Sequence, residues 1–187
     1  MTDVAPSKPV GILISGRGSN MMALVGAGID VALVASDKPD APGLAWARER
    51  DLATFALAPK GIGKPAYEAA LDAALRNAGV EVIALAGYMR LLSDEFVGKW
   101  RGRIVNIHPS LLPKYKGLDT HARAIAAGDT VAGCSVHLVT EELDAGTVLA
   151  RAEVPILPGD DAASLAERVL AAEHRLYPRV LKEFAAA

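Results

Sequence analysis

The residues best suited to chemistry lie on one short strand that is followed by two prolines. Residues 103–117 read RIVNIHPSLLPKYKG, and the first six have the apolar character of a strand. Side chains alternate between faces along a strand, so Asn106 and His108 point to the same side. That side therefore carries an amide that can donate hydrogen bonds and an imidazole that can titrate near neutral pH.

Pro109 sets the position of these two residues in the sheet. Proline has no N–H for a ladder, so the strand ends there, and Asn106 and His108 lie at its carboxyl end beside a long loop. If the strand is parallel to its neighbours, that end is where open α/β sheets bind ligands. Taken alone, the two residues favour a structural interpretation, in which the asparagine caps the strand and the histidine is a hydrogen-bonded core residue.

A glycine-containing turn near the start of the chain is a second candidate site. An apolar strand over residues 10–15 is followed by Gly16, Arg17, Gly18, Ser19 and Asn20. Either Ser19 or Asn20 could cap the next helix, whose N-terminus would attract an anion. Met21 stands where the dinucleotide fingerprint needs a third glycine, and no Walker lysine is present. The turn is therefore either a phosphate site or a plain strand-to-helix connection.

The remaining elements predict how these residues are positioned. Further strands are predicted to begin near Val31, Thr54, Glu81, Ser135 and Thr147, and helices near Pro42, Pro65, Ser93, His121 and Asp161, with Thr120 as a cap. This alternation indicates a right-handed, doubly wound α/β fold. We expect a single domain, residues 1–187, with a mostly parallel twisted sheet flanked by helices. The strands expected as neighbours in the core start near Val10, Val31, Glu81 and Arg103.

Three other features could border a site. Residues 87–92 stay apolar after a buried strand, which suits either the wall of a pocket or packing against a neighbouring loop. Residues 141–146 hold three carboxylates but no partnered histidine or cysteine at ligand spacing, so no metal site is expected. His137 lies alone among apolar strand residues, and we interpret it as structural.

Composition limits the classes of partner. The formal net charge of -2 and the pI near 6.1 offer no general attraction for nucleic acid or an anionic membrane surface, so neither is expected as a partner. Cys134 is the single cysteine, which excludes an intrachain disulfide. The opening MTDVAPSKPV lacks the features of a signal peptide, and no apolar run is long enough to span a bilayer. A cytoplasmic location is therefore expected.

Several segments together resemble the folate-dependent formyltransferases. They follow the family's order and spacing and read ISGRGSN, AGYMRLL, IVNIHPSLLPKYKG, GCSVHLVTEELDAG and AAEHRLYP. The resemblance covers nearly the whole chain and implies the formyltransferase fold, with a Rossmann-like N-terminal half. It also implies direct transfer of a formyl group from the co-substrate N10-formyltetrahydrofolate to the amine of glycinamide ribonucleotide in purine synthesis. Both substrates are small molecules, no metal is implied, and a monomer or weak homodimer is expected.

The resemblance also assigns roles by position. Asn106, His108 and Asp144 match the family's catalytic trio, in which the amide would donate to an oxyanion while the ring and the carboxylate move a proton. The residues that would hold the ribonucleotide are Gly18, Ser19, Asn20 and Glu173. The residues that would bind the folate are Lys64, Met89, Arg90, Leu91, Leu92 and Asn106. Without the resemblance, a turn-stabilising role would be favoured for Asp144.

Three positions depart from the family pattern. Lys64 stands where arginine is frequent, and Asp119 and Ala132 stand where histidines are frequent. Because lysine is a point charge rather than a fork, the bidentate contact of an arginine is in question at Lys64. The histidines at the other two positions are not expected to be essential to the chemistry.

Two kinds of alternative function remain to be weighed. The related methionyl-tRNA formyltransferases and formyltetrahydrofolate hydrolases carry additional domains, for which a chain of 187 residues is expected to have no room. An NAD-binding α/β module would explain Gly16 and Gly18, but it would leave Asn106, His108 and Asp144 without a role. Titration with a dinucleotide would distinguish that module from an enzyme.

Overall fold

The computed structural model describes residues 7–187, in which strands and helices alternate from β1 to α5. The strands are β1 Val10–Ile14, β2 Val31–Ser36, β3 Thr54–Ala56, β4 Val82–Leu85, β5 Ile104–His108, β6 Val131–Leu138 and β7 Val148–Pro155. The helices are α1 Ser19–Gly26, α2 Pro42–Arg48, α3 Lys64–Asn77, α4 Asp94–Lys99, α5 Thr120–Ala126 and α6 Ala162–Ala186.

The seven strands form one sheet in the order β3-β2-β1-β4-β5-β6-β7. Strands β1 to β5 pair in parallel, whereas β6 and β7 pair antiparallel. The predicted mostly parallel α/β fold is therefore confirmed. The prediction that the strands starting near Val10, Val31, Glu81 and Arg103 are neighbours is also confirmed, because β2, β1, β4 and β5 lie side by side.

Alternating side chains of the central strands build a hydrophobic core on each face of the sheet. In β1, Ile12 and Ile14 pack on the face covered by α1, α2 and α6, whereas Leu13 packs on the face covered by α3 and α4. All five residues of β1 are buried, which explains why the strand reads as a continuous apolar run rather than an alternating one.

Helix α6 is the longest element and lies against the middle of the sheet. Asp161 and Ser164 form a capping box at its start, and the helix continues through Pro178. The buried Tyr177 hydroxyl lies 3.0 Å from the carbonyl oxygens of both Leu85 and Val105, which fixes α6 to β4 and β5. Within residues 7–187, no helix has the combined length and apolar character that crossing a membrane requires.

Two predicted helix caps are wrong. Gly18 occupies the cap position of α1 with φ of 75°, and no side chain accepts a hydrogen bond there. Asn20 lies inside the helix and bonds to Glu173 instead. Thr120 is the first residue of α5, and its hydroxyl donates to the Pro109 carbonyl oxygen at 2.8 Å, while Asp119 takes the cap position. In both cases the side chain that local propensity predicts as a cap instead forms a hydrogen bond to a residue distant in the chain.

Close backbone packing between β6 and β7 gives a test of the sheet. A Cβ atom on Gly133 would lie 2.1 Å from the Ala152 carbonyl oxygen, and no side-chain rotation can relieve a clash with backbone. We expect Gly133→Ala to lower the free energy of unfolding by about 1–3 kcal/mol or more, measured by urea denaturation. The control is Gly98→Ala in α4, where the space is open, and it should raise stability by about 0.5–1 kcal/mol. Equal stability of the two variants would contradict the packing described for these strands.

Candidate active site

A cleft of about 850 Å³ opens at the carboxyl ends of β4 and β5. Its walls include residues 87–94 after β4, residues 106–109 at the end of β5, residues 117–121 before α5, and Asp144 from the turn after β6. Because β1, β4 and β5 are adjacent and parallel, the loops that follow them meet at one edge of the sheet. This is the edge at which open α/β sheets bind ligands.

Asn106 contacts a histidine on the neighbouring strand. Its amide nitrogen lies 3.2 Å from Nε2 of His137, and Nδ1 of that ring lies 2.9 Å from the Leu138 carbonyl oxygen. A carbonyl oxygen only accepts, so Nδ1 carries a proton, and Nε2 of the neutral ring accepts from Asn106. Burial lowers the pKa of His137, against the backbone hydrogen bond and the Asp144 charge, which agrees with a neutral ring. The neutral ring fixes the orientation of the Asn106 amide.

Asp144 places a carboxylate between two imidazole rings. Its Oδ2 lies 3.4 Å from Nδ1 of His108, and its Oδ1 lies 3.6 Å from Nε2 of His137. The Gly117 N–H donates to Oδ2 at 2.9 Å. Only 8% of the Asp144 side chain is exposed, so the carboxylate depends on the Gly117 N–H and the His108 ring rather than on water.

His108 has an oxygen acceptor at each ring nitrogen. Nε2 lies 2.9 Å from the Tyr115 carbonyl oxygen and therefore donates to it, while Nδ1 faces Asp144. A second proton, on Nδ1, would let the ring donate to both oxygens at once. The pair can therefore hold a proton between the ring and the carboxylate at the wall of the cleft.

The structure brings Asn106, His108 and Asp144 together, and it adds His137 to them. His137 was interpreted from sequence as structural, and it is buried, but it also contacts both Asn106 and Asp144. In the antiparallel β5–β6 pairing, Asn106 lies opposite His137 and His108 lies opposite Ser135. The sequence does show a second pair of polar residues spaced by two, Ser135 and His137. It does not show the strand register that places this pair opposite Asn106 and His108.

The residues assigned to the folate line the cleft. Lys64 begins α3, and its Nζ lies 4.0 Å from Glu68. Met89 and Leu91 are 70% and 67% exposed, so apolar surface is available to a ligand. Residues 87–93 form the wall of the cleft that is assigned to the folate. This wall ends at Ser93, whose N–H and hydroxyl donate to the buried Glu68. Arg90 and Leu92 complete the lining.

The residues assigned to the ribonucleotide lie outside the lining of this cleft. Gly18, Ser19 and Asn20 stand at the start of α1, after the neighbouring strand β1. The Asn20 amide donates to Oε2 of Glu173 at 2.7 Å, and both side chains are buried. Burial raises the pKa of Glu173, and the Asn20 hydrogen bond opposes that shift. The structure thus joins two of the assigned residues, which are 153 positions apart, near the edge where the loops meet.

Among residues 7–187, no group of three or more histidine, cysteine, aspartate or glutamate side chains is arranged to hold a metal ion. The groups that the fold brings together at the end of β5 are an amide, two imidazoles and a carboxylate. An open α/β sheet with such groups beside a cleft at its carboxyl edge defines an α/β enzyme.

Comparisons with known proteins name the family. The formyl transferase family model matches residues 8–181, and the chain belongs to this family. It is 44% identical over 181 residues to phosphoribosylglycinamide formyltransferase of Escherichia coli, covering 93% of this chain and 85% of that protein. A crystal structure of phosphoribosylglycinamide formyltransferase from Brucella melitensis is 51% identical, with a TM-score of 0.92 and 97% of each chain covered.

Some relatives are much longer proteins. The chain is 47% identical over 183 residues to the trifunctional purine biosynthetic protein adenosine-3 of Drosophila melanogaster. It covers 14% of that protein's length.

One buried and two half-buried histidines predict a pH dependence of stability. Burial lowers the pKa of His121, His137 and His174 below the ordinary value of 6.5, so in mildly acidic solution the unfolded chain binds more protons than the folded one. The stability that these residues contribute is therefore fully present when the pH is above 6.5, and it is lost as the pH falls below 6.5 towards their lowered pKa values. Glu173, whose pKa is raised, acts in the opposite direction, favouring the folded state at lower pH.

We expect the free energy of unfolding to fall between about pH 7.5 and about pH 5.5. His174 lies outside the cleft, so His174→Gln should reduce this loss without altering the cleft. Urea denaturation of both proteins at the two pH values measures the difference. An identical pH dependence in parent and variant would contradict the lowered pKa of His174.

Proposed function

We propose that this chain transfers the formyl group of N10-formyltetrahydrofolate to the amine of glycinamide ribonucleotide, producing formylglycinamide ribonucleotide and tetrahydrofolate in purine biosynthesis. The observation that carries the proposal is the cluster of Asn106, His108 and Asp144 at the wall of the cleft. The names of the similar bacterial proteins support the same reaction.

Transfer begins when the amine attacks the formyl carbon and a tetrahedral oxyanion forms. Asn106 is the donor proposed for this oxyanion. One N–H of its amide is engaged by His137, which leaves the second N–H and the amide oxygen for the ligand. Removing a donor that is held in place before the reaction typically lowers turnover by a factor of about 10²–10³.

The reaction also needs a proton to leave the attacking nitrogen and reach the departing folate nitrogen. His108 and Asp144 are the pair proposed to assist this transfer, because Nδ1 of the ring faces the buried carboxylate and the two groups can share a proton. Asp144 would stabilise the positive charge on the ring and order a water that relays the proton. General acid–base assistance of this kind contributes about 10²–10⁴ in rate.

The two substrates would occupy adjoining parts of the sheet edge. The pterin end of the folate would lie in the cleft against Met89, Leu91 and Leu92, whose exposed apolar surface suits a flat ring. Backbone groups of Arg90 and Leu92 would read its hydrogen-bonding edge. The ribonucleotide phosphate would bind at Gly18, Ser19 and Asn20, with Glu173 contacting another polar part of that substrate.

The function is tested by mixing the protein with N10-formyltetrahydrofolate and glycinamide ribonucleotide and following the folate absorbance. Parental protein should turn over only when both substrates are present. Asp144→Asn should fold normally and bind both substrates, but its turnover should fall about 10²-fold or more because the carboxylate charge is lost. The control is Asp30→Asn, an exposed aspartate remote from the cleft, which should keep parental turnover.

Two outcomes would overturn this proposal. Folate consumption that does not depend on the ribonucleotide would indicate hydrolysis of the donor rather than transfer. Near-parental turnover in both Asp144→Asn and His108→Ala, on protein shown to be folded, would remove the proposed catalytic cluster.

The phosphate site is tested separately at Gly18. Its φ of 75° is strained for any other residue, and a Cβ atom would lie 2.9 Å from Met21 Cε. Gly18→Val should raise the KM for the ribonucleotide several-fold and leave the KM for the folate unchanged. Gly28→Val is the matched control, because Gly28 has φ of 79° at the other end of α1. If both variants bind the ribonucleotide alike, the Gly18 turn is only a connection.

A further inference from the structure

Ser15 joins the two loops that the proposed function assigns to different substrates. It follows β1 directly and precedes Gly16, where the glycine-containing turn begins. Its N–H donates to the Gly87 carbonyl oxygen at 3.2 Å, and its hydroxyl oxygen accepts from the Met89 N–H at 2.9 Å. One residue therefore makes two hydrogen bonds to the wall of the cleft while beginning the proposed phosphate loop.

Asp37 fixes the orientation of the Ser15 hydroxyl. The hydroxyl donates to Oδ1 of Asp37 at 2.6 Å, so its oxygen lone pairs remain available to Met89. Asp37 follows β2, and both side chains are buried, at 4% exposure for Ser15 and 7% for Asp37. Neither can exchange its partner for water without a local opening, so the arrangement is specified by the fold.

A second pair of hydroxyls steadies the same wall. The Tyr88 hydroxyl lies 2.8 Å from that of Tyr67 on α3. Burial raises the pKa of Tyr88 well above its usual range, and the Tyr67 hydrogen bond and the nearby Asp37 charge add to the shift, so the pair stays neutral. With Glu68 holding Ser93 at the far end, the wall is fixed at both ends around the exposed Met89 and Leu91.

We propose that Ser15, oriented by Asp37, is a positioning residue. It holds the folate-binding wall, residues 87–93, next to the ribonucleotide loop, residues 16–20. This inference rests on the proposed function, and it goes beyond it because neither side chain lines the cleft. Without the hydroxyl, the Met89 N–H and the Asp37 carboxylate would both lose a buried partner, and the wall would move to find another. The backbone bond from Ser15 to Gly87 would remain, so the damage should fall on the folate rather than on the ribonucleotide.

The test is Ser15→Ala with Ser36→Ala as the matched control. Ser36 lies on the neighbouring strand, is buried at 1% exposure, and accepts a backbone N–H from Lys38 at 3.1 Å. Both variants lose a buried hydroxyl, but only Ser15→Ala disturbs the wall. We expect the KM for N10-formyltetrahydrofolate to rise about tenfold in Ser15→Ala, with the ribonucleotide KM changed less than about threefold and Ser36→Ala parental in both.

A substitution pair at Asp37 gives an independent measurement. Asp37→Asn keeps an oxygen that can accept from Ser15 and should retain the parental KM for the folate, whereas Asp37→Ala should raise it. This pair decides the matter if Ser15→Ala does not fold. A purely structural role would lower the melting temperature in Asp37→Ala without separating the two KM values.

The proposal is overturned if Ser15→Ala matches Ser36→Ala in the folate KM, or if Asp37→Ala matches Asp37→Asn. Failure of the proposed function has a different signature, namely no formyl transfer by the parental protein. In that case, calorimetric titration with tetrahydrofolate measures ligand binding at this wall without depending on formyl transfer. Weaker binding by Ser15→Ala than by Ser36→Ala supports the positioning role, and equal binding, or none by the parent, overturns it.

Discussion

The site depends on the burial of one carboxylate, that of Asp144, against His108 and His137. A buried charge without partners is costly, so the turn after β6 must approach β5 until the His108 ring and the Gly117 N–H reach the carboxylate. Asp144 has φ of 48°, a conformation that is uncommon for a residue with a side chain. The surrounding contacts hold that conformation, and strain of this kind is frequently found where function requires a fixed side chain.

The two rings share this carboxylate but differ in their other partners. The Nδ1–H of His137 donates a hydrogen bond to the Leu138 carbonyl oxygen and the ring stays neutral, so Nε2 accepts from the Asn106 amide. The Nε2–H of His108 donates to the Tyr115 carbonyl oxygen, and Nδ1 faces Asp144. One histidine therefore orients an amide and the other can carry charge. The two rings differ because a carbonyl oxygen engages Nδ1 in His137 but Nε2 in His108.

The parts of this arrangement that were predictable from sequence are those with local signals. Apolar runs and prolines predicted the strands and their carboxyl ends, and a spacing of two placed Asn106 and His108 on one face. Asp144 came from the family resemblance, because the local signal of its sequence favours a turn. His137, Ser15 and Asp37 gave no local signal of their contacts, which depend on the register of β5 with β6 and on parallel pairing across β2, β1 and β4. The caps expected at Asn20 and Thr120 failed for the same reason, since long-range partners compete for those side chains.

Helix α6 links the proposed acceptor site to the strands that carry the chemistry. Glu173 and Tyr177 are one turn apart and so share a face of the helix. The Tyr177 hydroxyl contacts carbonyl oxygens of β4 and β5, while Glu173 holds Asn20 at the start of α1. A shift of α6 would therefore move the Glu173–Asn20 pair relative to Asn106 and His108. Because transfer requires the reacting atoms to meet within about 3–3.5 Å, the buried face of this helix constrains the reaction as directly as the residues at the cleft.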